Sequence, residues 1–321
     1  MTRPLVALIT DVDWEGLSVE EQALLPVGCE IVVAPDSSPE TLRKLVPHAD
    51  VIMVCFATLP ATVIAEASSA RAILRWGGGT NNIDLDAARA HHIPVYNVPD
   101  FCVEEVADHA LMMILALSRG LERQIATTRS GGWSLPGDLP RRLSTQTLGL
   151  VGMGRTGQAL ARRAQVLGMS VRYTMSERKL PDDITATRAT NLATLASEVD
   201  VMSLHLPLTE ETFHIIDAEV LRVMRPHATL INVARGGLVH TDDLVKALES
   251  RTIQSAGLDV TDPEPLPADH RLRFLPQCLV TPHFAYRSRE AITEVRERVA
   301  LAARDIVQDL VPNPRHVSLV K

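Results

Sequence analysis

The chain lacks the marks of several broad classes of protein. Its four cysteines, at positions 29, 55, 102 and 278, show no CxxC or Cys/His ligand spacing, so we expect reduced thiols and no metal site. No apolar run approaches the roughly 20 residues that cross a bilayer, and the N-terminus turns acidic too soon for a signal peptide. The formal net charge of −7 gives no electrostatic reason to bind nucleic acid. These absences predict a cytoplasmic protein without a membrane or nucleic-acid partner.

Strand-like and helix-like runs alternate along almost the whole chain, without internal repeats or low-complexity segments. Such alternation predicts parallel sheets that carry helices on both faces. One series of strands extends from residues 6–10 to residues 95–98, and a second from residues 147–151 to residues 279–281. With 321 residues, of which 46% are apolar, the chain is long enough for two α/β domains with packed cores.

The segments that join the two series bear on the domain boundaries. Residues 104–119 form a long apolar-rich helical pattern that follows Pro99 and Asp100, two residue types suited to a helix start. Residues 129–143 carry Gly, Pro and Trp133, and we interpret them as an arm or loop. We expect the charged helix at residues 288–310 to return to the first domain. The prediction is a discontinuous domain of residues 1–99 and 287–321, into which residues 100–286 are inserted.

A glycine-rich turn, GMGRTG, stands in the middle of the chain. A strand-like run, residues 147–151, enters it, and a helical run, residues 158–167, leaves it, which is the context of a dinucleotide site. Gly152 permits the tight turn, Gly154 lets the backbone approach a pyrophosphate, and Gly157 lets helix and strand pack closely. The N–H groups at the start of the helix then hold the anion.

One part of this fingerprint is missing. An acid that binds the ribose 2′-hydroxyl is expected about 20 residues further on, and Met175 stands there instead. Ser176 can donate to a 2′-phosphate, and Arg178 or Lys179 can pair with it. Glu177 works against this, because it can reach the ribose. We therefore predict NADP(H) in preference to NAD(H), with NAD(H) or dual use as the alternative.

Three polar clusters follow strand-like runs beyond the turn: INVARGGLV with Arg235, GLDVTDPEPL with Glu264, and VTPHFAYRS with His283. Ligands of open α/β sheets bind beyond the carboxyl ends of the strands, so we expect these side chains to meet in one crevice. An arginine can hold a carboxylate and polarise a carbonyl, and a histidine oriented by a carboxylate can protonate the developing alkoxide. Taken singly, such residues also suit surface or turn positions. Together, behind a dinucleotide turn, they fit hydride transfer to a 2-keto acid.

Over nearly its whole length the chain resembles the D-isomer-specific 2-hydroxyacid dehydrogenase family. The resemblance lies in RWGGGTNNIDLDAARAHHIPVYNVPD at residues 75–100, the glycine turn, SLHLPLT at residues 203–209, and the NxxRGxxV, LDVxxxEP and TPH motifs. It implies two doubly wound parallel-sheet domains, with a Rossmann cofactor domain inserted into a flavodoxin-like substrate domain. It also implies an NAD(P)-dependent oxidoreductase that interconverts a small 2-keto acid, of the glyoxylate or hydroxypyruvate type, and its D-2-hydroxy acid.

The resemblance also implies roles for individual residues. Arg235 orients the substrate, His283 is the acid/base, and Glu264 pairs with His283. The long helix and the arm around Trp133 form a homodimer interface. The remaining implied positions are the substrate-carboxylate loop of Gly77, Gly78 and Gly79, the pyrophosphate contacts Arg155 and Thr156, and Asp259 near the nicotinamide carboxamide.

Two departures leave the substrate open. Asn81 replaces an aspartate common in the GxGxDNID loop, and Tyr286 stands where the C-terminal-binding-protein-like branch has tryptophan. Features of that branch and of glyoxylate/hydroxypyruvate reductases both occur, so the alternative function is a nicotinamide-sensing co-regulator that binds protein partners. Glu264 argues against formate dehydrogenase activity, for which the pairing residue is glutamine. The complete set of Arg235, Glu264 and His283 favours the enzyme.

Overall fold

The computed structural model describes residues 3–134 and 139–320. Within them, most strands are short and buried, as expected when helices cover both faces of a parallel sheet. In chain order they are β1 (Leu5–Ile9), β2 (Cys29–Val33), β3 (Val51–Val54), β4 (Ala72–Arg75), β5 (Val95–Asn97), β6 (Thr147–Val151), β7 (Ser170–Thr174), β8 (Thr187–Arg188), β9 (Val201–Leu204), β10 (Thr229–Asn232), β11 (Ser255–Leu258), β12 (Cys278–Val280) and β13 (Ser318–Leu319).

The helices alternate with the strands along the chain, and several begin at a side chain that caps their first turn, as Asp217 does by accepting from the backbone N–H groups of Glu219 and Val220. The helices are α1 (Ser18–Leu24), α2 (Pro39–Leu45), α3 (Ala61–Ile64), α4 (Leu85–Ala90), α5 (Val103–Arg119), α6 (Leu121–Arg129), α7 (Arg155–Val166), α8 (Leu192–Glu198), α9 (Ala218–Val223), α10 (Thr241–Glu249) and α11 (Arg289–Val307).

The chain divides into two compact units, the first of Met1–Phe101 with Ser288–Lys321 and the second of Cys102–Arg287. The sheet of the first unit has the order β13-β5-β4-β3-β1-β2. Its strands pair in parallel except β13, which pairs antiparallel to β5. The order β2-β1-β3-β4-β5 is that of a flavodoxin-like sheet, and every side chain of the central strand β3 is buried.

The sheet of the second unit has the order β12-β11-β10-β9-β6-β7-β8, with all neighbours parallel. Counted from β6, this is the Rossmann order 3-2-1-4-5-6 with one further strand, so the strand order reverses direction at β6. The glycine turn follows β6 directly. The predicted fold class, two doubly wound parallel sheets of flavodoxin-like and Rossmann type, is confirmed.

Some local predictions differ from the structure. α7 begins at Arg155, three residues ahead of the predicted start at position 158, because the third glycine lies inside the first helical turn. Asp100 does not cap α5; its carboxylate accepts from Arg298 at 2.8 Å instead, and the helix begins at Val103. α6 was not predicted, and the predicted arm at residues 129–143 includes residues 135–138, which lie outside the described residues.

The thiols match the expectation of reduced cysteines. All four are free, and burial raises the pKa of Cys29 to about 11 and that of Cys278 to about 12, which keeps both protonated at neutral pH. Among residues 3–134 and 139–320, no helix is both long enough and apolar enough to cross a membrane. The same residues bring together no group of three or more His, Cys, Asp or Glu side chains that would hold a metal ion.

Candidate active site

Three loops of the second unit carry the predicted catalytic residues. Arg235 follows β10, Glu264 follows β11 and His283 follows β12, and these strands are neighbours in the sheet. Because all three strands are parallel, the loops leave from the same edge. The loops also contact each other: a Cβ on Gly236 would lie only 1.9 Å from the carbonyl oxygen of Thr261, so this glycine permits the close approach.

His283 and Glu264 form a short side-chain pair. Nδ1 of His283 lies 2.5 Å from Oε1 of Glu264. Partial burial raises the pKa of Glu264, but the hydrogen bond with His283 and the nearby charge of Arg235 outweigh it, so this pKa lies below its ordinary value. Glu264 is therefore ionised at neutral pH and is placed to orient the imidazole, while the catalytic roles of the two residues stay a prediction.

The loop around Arg235 is held by Asn232 at the end of β10. Nδ2 of Asn232 donates to the carbonyl oxygen of Arg235 at 2.8 Å, and its Oδ1 accepts from the N–H of Ala234 at 3.1 Å. The guanidinium of Arg235 donates through Nη1 to the carbonyl oxygen of Ala234 at 2.6 Å. Asn232 is fully buried, so its amide fixes the backbone from which the arginine projects. Sequence reasoning missed this role, although the asparagine begins the NxxRGxxV motif.

Asp259 holds the turn that carries His283. Its side chain is buried, and its two carboxylate oxygens accept from the N–H groups of Phe284 and Ala285, both at 2.8 Å. Its carbonyl oxygen accepts from the N–H of His283 at 2.8 Å. The structure therefore brings Asp259 together with His283. Its predicted position near the nicotinamide carboxamide stays a prediction.

The glycine turn after β6 has the shape of a phosphate cradle. Gly152 has a φ of 93°, and a Cβ there would lie 2.4 Å from the carbonyl oxygen of His205. A Cβ on Gly157 would lie 2.6 Å from the carbonyl oxygen of Gly152. Around Gly154, by contrast, no heavy atom of the described residues, apart from the glycine and its two chain neighbours, lies within 4 Å of the Cβ position. The first and third glycines thus serve packing, and the second faces open space.

The start of α7 fits an anionic ligand. Gly154 is the N-cap and offers no side-chain acceptor to the first N–H groups of the helix, which begins at Arg155 and Thr156. Open space lies beside Gly154, directly before these N–H groups, and a helix N-terminus attracts a phosphate. The residues present therefore fit the pyrophosphate of a dinucleotide.

The end of β7 carries the groups predicted to choose between cofactors. Met175 follows the strand with a φ of 55° and is 45% exposed. Ser176 Oγ accepts from the N–H of Arg178 at 3.4 Å, so these two residues form one turn. Glu177 pairs with Arg188 on β8, a residue that sequence reasoning missed.

The GGG loop lies in the first unit, directly after β4. Gly77 has a φ of 134°, and a Cβ on Gly78 would lie 3.2 Å from Cα of Pro99. Asn97 Nδ2 donates to the carbonyl oxygen of Gly78 at 2.7 Å. Gly79 follows and is half-buried. The loop thus has the glycine-dependent, tightly packed backbone that an anion-binding nest requires.

A second loop of the first unit is held by Asp11, after β1. Its carboxylate accepts from three consecutive backbone N–H groups, those of Cys55 at 3.0 Å, Phe56 at 2.5 Å and Ala57 at 3.1 Å. This role of Asp11 could not be predicted from sequence, because its partners lie 44 to 46 residues away.

Two further side chains border the predicted site residues. His205 lies next to Gly152, and burial lowers the pKa of His205 to about 4, so its imidazole is neutral and its Nε2 contacts Ser203 Oγ at 2.8 Å. The ring of Tyr286 stands edge-on to that of His283, with centroids 6.0 Å apart.

Comparisons with known proteins point to the same family as the sequence motifs. A family model described as D-isomer specific 2-hydroxyacid dehydrogenase, NAD binding domain, matches residues 111–285. The glyoxylate reductase of Thermofilum pendens is 34% identical over 319 residues, which cover 96% of this chain and 91% of that protein. The D-3-phosphoglycerate dehydrogenase of a Synechocystis species is 34% identical over 94% of this chain, but the chain spans only 54% of that protein. The structure of the D-lactate dehydrogenase from Aquifex aeolicus, complexed with NAD and lactic acid, has a TM-score of 0.84 and 28% identity, over 95% of this chain and 96% of that one.

Proposed function

Because the chain belongs to the D-isomer specific 2-hydroxyacid dehydrogenase family, we propose that it reduces a small 2-keto acid of the glyoxylate type to the D-2-hydroxy acid. The family acts on the CH–OH group of its donors with a nicotinamide cofactor, so the enzyme class predicted from sequence is confirmed. The observation that carries the proposal is the pair of His283 Nδ1 and Glu264 Oε1 at 2.5 Å, next to the charge of Arg235.

The chain's own groups supply binding and proton transfer. Arg235 binds the carboxylate of the substrate and polarises the keto carbonyl of the substrate. The planar guanidinium can donate N–H groups to the oxygen atoms of both. The loop of Gly77, Gly78 and Gly79 in the first unit offers backbone N–H groups suited to bind a carboxylate of the substrate. His283, oriented through Nδ1 by Glu264, donates the proton of Nε2 to the carbonyl oxygen as negative charge develops there. The bound nicotinamide supplies the hydride.

We assign the second unit to the cofactor and the first to the substrate. In the second unit, Gly152, Gly154 and Gly157 form the cradle, and the N–H groups of Arg155 and Thr156 hold the pyrophosphate. We propose that NADPH is preferred. Met175 replaces the acid that would repel a 2′-phosphate, Ser176 and Arg178 can contact that phosphate, and Glu177 is engaged by Arg188.

The decisive experiment is the His283→Ala variant, assayed by oxidation of NADPH with glyoxylate as substrate. Loss of the proton donor is expected to lower kcat by about 10²- to 10⁴-fold, while the Kd for NADPH stays unchanged. His91→Ala is the control, because His91 is exposed at the end of α4. A His283→Ala enzyme with the wild-type rate would overturn the mechanism. If the wild type turned over no keto acid in a panel while still binding NADPH, the co-regulator function would replace the enzyme.

We also propose a homodimer formed through α5 and α6. These helices leave large apolar side chains exposed, and the following segment adds more: Met112, Leu121, Ile125, Trp133 and Leu139. Exposed apolar side chains that form one patch are typical of a protein interface, and we expect these five to form such a patch. Light scattering after size exclusion should give twice the chain mass of 35.1 kDa. Ile125→Glu should shift the particle toward the monomer, whereas a monomeric wild type would contradict the dimer.

A further inference from the structure

His109, on α5, is connected to the turn of His283 through Thr281. The hydroxyl of Thr281 donates to Oδ1 of Asp259 at 2.5 Å. Because a hydroxyl has one proton, the Thr281 oxygen accepts from Nε2–H of His109, which lies 2.9 Å away. A chain of hydrogen bonds therefore extends from α5 to the carboxylate of Asp259.

The same carboxylate fixes the backbone on the other side of His283. It accepts from the N–H groups of Phe284 and Ala285, so the histidine lies between two anchored points, Thr281 before it and Phe284 after it. His283 itself has a φ of 51°, in the left-handed region that residues with a side chain seldom adopt. Such a conformation persists only when the surrounding contacts impose it.

His109 is well placed to contribute to these contacts. Its side chain is 10% exposed and that of Asp259 is 1% exposed, so their hydrogen bonds are shielded from water. Burial lowers the pKa of His109, although the charge of Asp259 opposes this, and the imidazole is neutral. In the neutral ring the single N–H is on Nε2, because that nitrogen is the donor to Thr281.

We propose that His109 is a positioning residue that, through Thr281 and Asp259, holds the imidazole of His283 in place for proton transfer. This inference rests on the proposed function, since it requires His283 to be the proton donor. His109 Nε2 also lies 3.4 Å from Asp259 Oδ1, so its removal takes away the contacts of α5 with both Thr281 and Asp259, and the turn that they hold can relax. A shift of about 1 Å in a reacting group slows the chemical step strongly, on the order of 100-fold, while leaving the binding groups of Arg235 untouched.

Three substitutions of His109 test whether an N–H donor is needed and how far from the backbone it must lie. The side-chain nitrogen of glutamine lies as far from the backbone as Nε2 of histidine, whereas that of asparagine is closer and leucine has none. We expect His109→Gln to keep kcat within about threefold of the wild type, and His109→Asn and His109→Leu to lose about 10- to 100-fold. The KM for glyoxylate and the Kd for NADPH, measured by calorimetry, should stay within about twofold.

A double-mutant cycle shows whether His109 acts through His283. In the His283→Ala background, His109→Leu should have no further effect on the residual rate, because the group that it positions is gone. A merely structural contribution would lower the rate by the same factor in both backgrounds. His283→Ala is measured first: if it keeps the wild-type rate, the proposed function fails, and if it is inactive while His109→Leu is fully active, only the present inference fails.

Thr281 provides an independent check should His109→Leu fail to fold. Thr281→Ser keeps the hydroxyl and should retain kcat within about threefold, whereas Thr281→Val should match the loss in His109→Asn. Equal activity of Thr281→Val and the wild type, or a His109→Gln enzyme as slow as His109→Leu, would overturn the proposal.

Discussion

The carboxylate of Glu177 is paired with the guanidinium of Arg188, eleven residues further along the chain. Nη1 of Arg188 donates to Oε2 of Glu177 at 3.0 Å, and Nη2 contacts the other carboxylate oxygen. The pair joins the loop after β7 to the edge strand β8. Glu177 is thus partly neutralised at the strand end where cofactors with and without a 2′-phosphate are distinguished.

Removing Arg188 should therefore change the preference for the cofactor. In Arg188→Leu, the charge of Glu177 repels the 2′-phosphate without compensation. We expect the ratio of kcat/KM for NADPH to that for NADH to fall by about tenfold, equivalent to about 1.4 kcal/mol. The measurement is steady-state kinetics with glyoxylate and each cofactor in turn.

Glu177→Gln supplies the matched control for this prediction. It removes the repelling charge and should keep or raise the preference for NADPH. The double variant Glu177→Gln/Arg188→Leu should regain most of the ratio lost in Arg188→Leu. If the ratio in Arg188→Leu equals that of the wild type, the ion pair has no part in the choice of cofactor.

The contrast between α9 and β8 shows what the sequence could predict. The bounds of α9, Ala218–Val223, can be predicted from sequence, because its cap, Asp217, and its apolar spacing are local signals. β8 has only two residues, both exposed, so no apolar period marks it, and Arg188 could not be connected with Glu177. Short edge strands of this kind are set by pairing with a neighbour rather than by their own sequence.

The predicted active-site residues show the same limit. Arg235, Glu264 and His283 could be grouped from sequence because each follows a strand of one parallel sheet. The groups that hold these three residues in place could not be predicted from sequence. Thr281 and His109 are 172 residues apart, and a histidine inside an apolar helix carries no sign of its partner.

Substitutions at two glycines of the turn should have different effects, one on stability and the other on cofactor binding. Gly157→Ala would bring Cβ to 2.6 Å from a backbone oxygen and should lower the free energy of unfolding by about 1 to 3 kcal/mol. Gly154→Ala has room and should keep the wild-type Tm, but its methyl group occupies the space that the pyrophosphate approaches. We expect its Kd for NADPH to rise about tenfold or more. Thermal unfolding and calorimetric titration measure the two effects, and a Gly154→Ala protein with the wild-type Kd would refute the cradle.

Asp200 predicts a loss of stability in acid. Its buried carboxylate is bonded to Arg141 at 2.6 Å, His227 at 2.7 Å and the N–H of Thr147 at 2.8 Å. Burial raises the pKa of Asp200, but these bonds outweigh it and lower the pKa from 3.8 to about 2. A lowered pKa in the folded state contributes stability that is complete above pH 3.8 and is lost as the pH falls toward 2. The contribution is at most about 2 kcal/mol, because the cationic partners are partly exposed.

Asp200→Asn should therefore be less stable than the wild type at neutral pH by about 1 to 2 kcal/mol, and the difference should shrink near pH 3. Urea unfolding at both pH values measures it. Asp86→Asn is the control, since its pair with Arg89 is exposed and should contribute less than about 0.5 kcal/mol. A gap between Asp200→Asn and the wild type that stays constant with pH would contradict this origin of the stability.

A buried ion pair in the first unit connects α1 and α11. Arg296 contacts Glu20 at two points, Nε to Oε1 at 3.0 Å and Nη2 to Oε2 at 2.7 Å, and Glu20 is fully buried. The guanidinium also lies 5.2 Å from the ring centroid of Trp14 and donates to the carbonyl oxygen of Gly16 at 3.0 Å. These contacts and the burial of Glu20 shield the ion pair from solvent.

Glu20→Ala leaves the charge of Arg296 buried without its counter-ion and should lower the free energy of unfolding by about 3 to 5 kcal/mol. Replacing both residues by leucine should recover part of this loss, because no buried charge remains. Glu66→Ala is the matched control: its pair with Arg43 is exposed on both sides and should contribute less than about 1 kcal/mol. Chemical unfolding followed by circular dichroism compares the variants. If Glu20→Ala lost no more than Glu66→Ala, the pair would have to be solvated, and burial of Glu20 would not explain how α11 is held to α1.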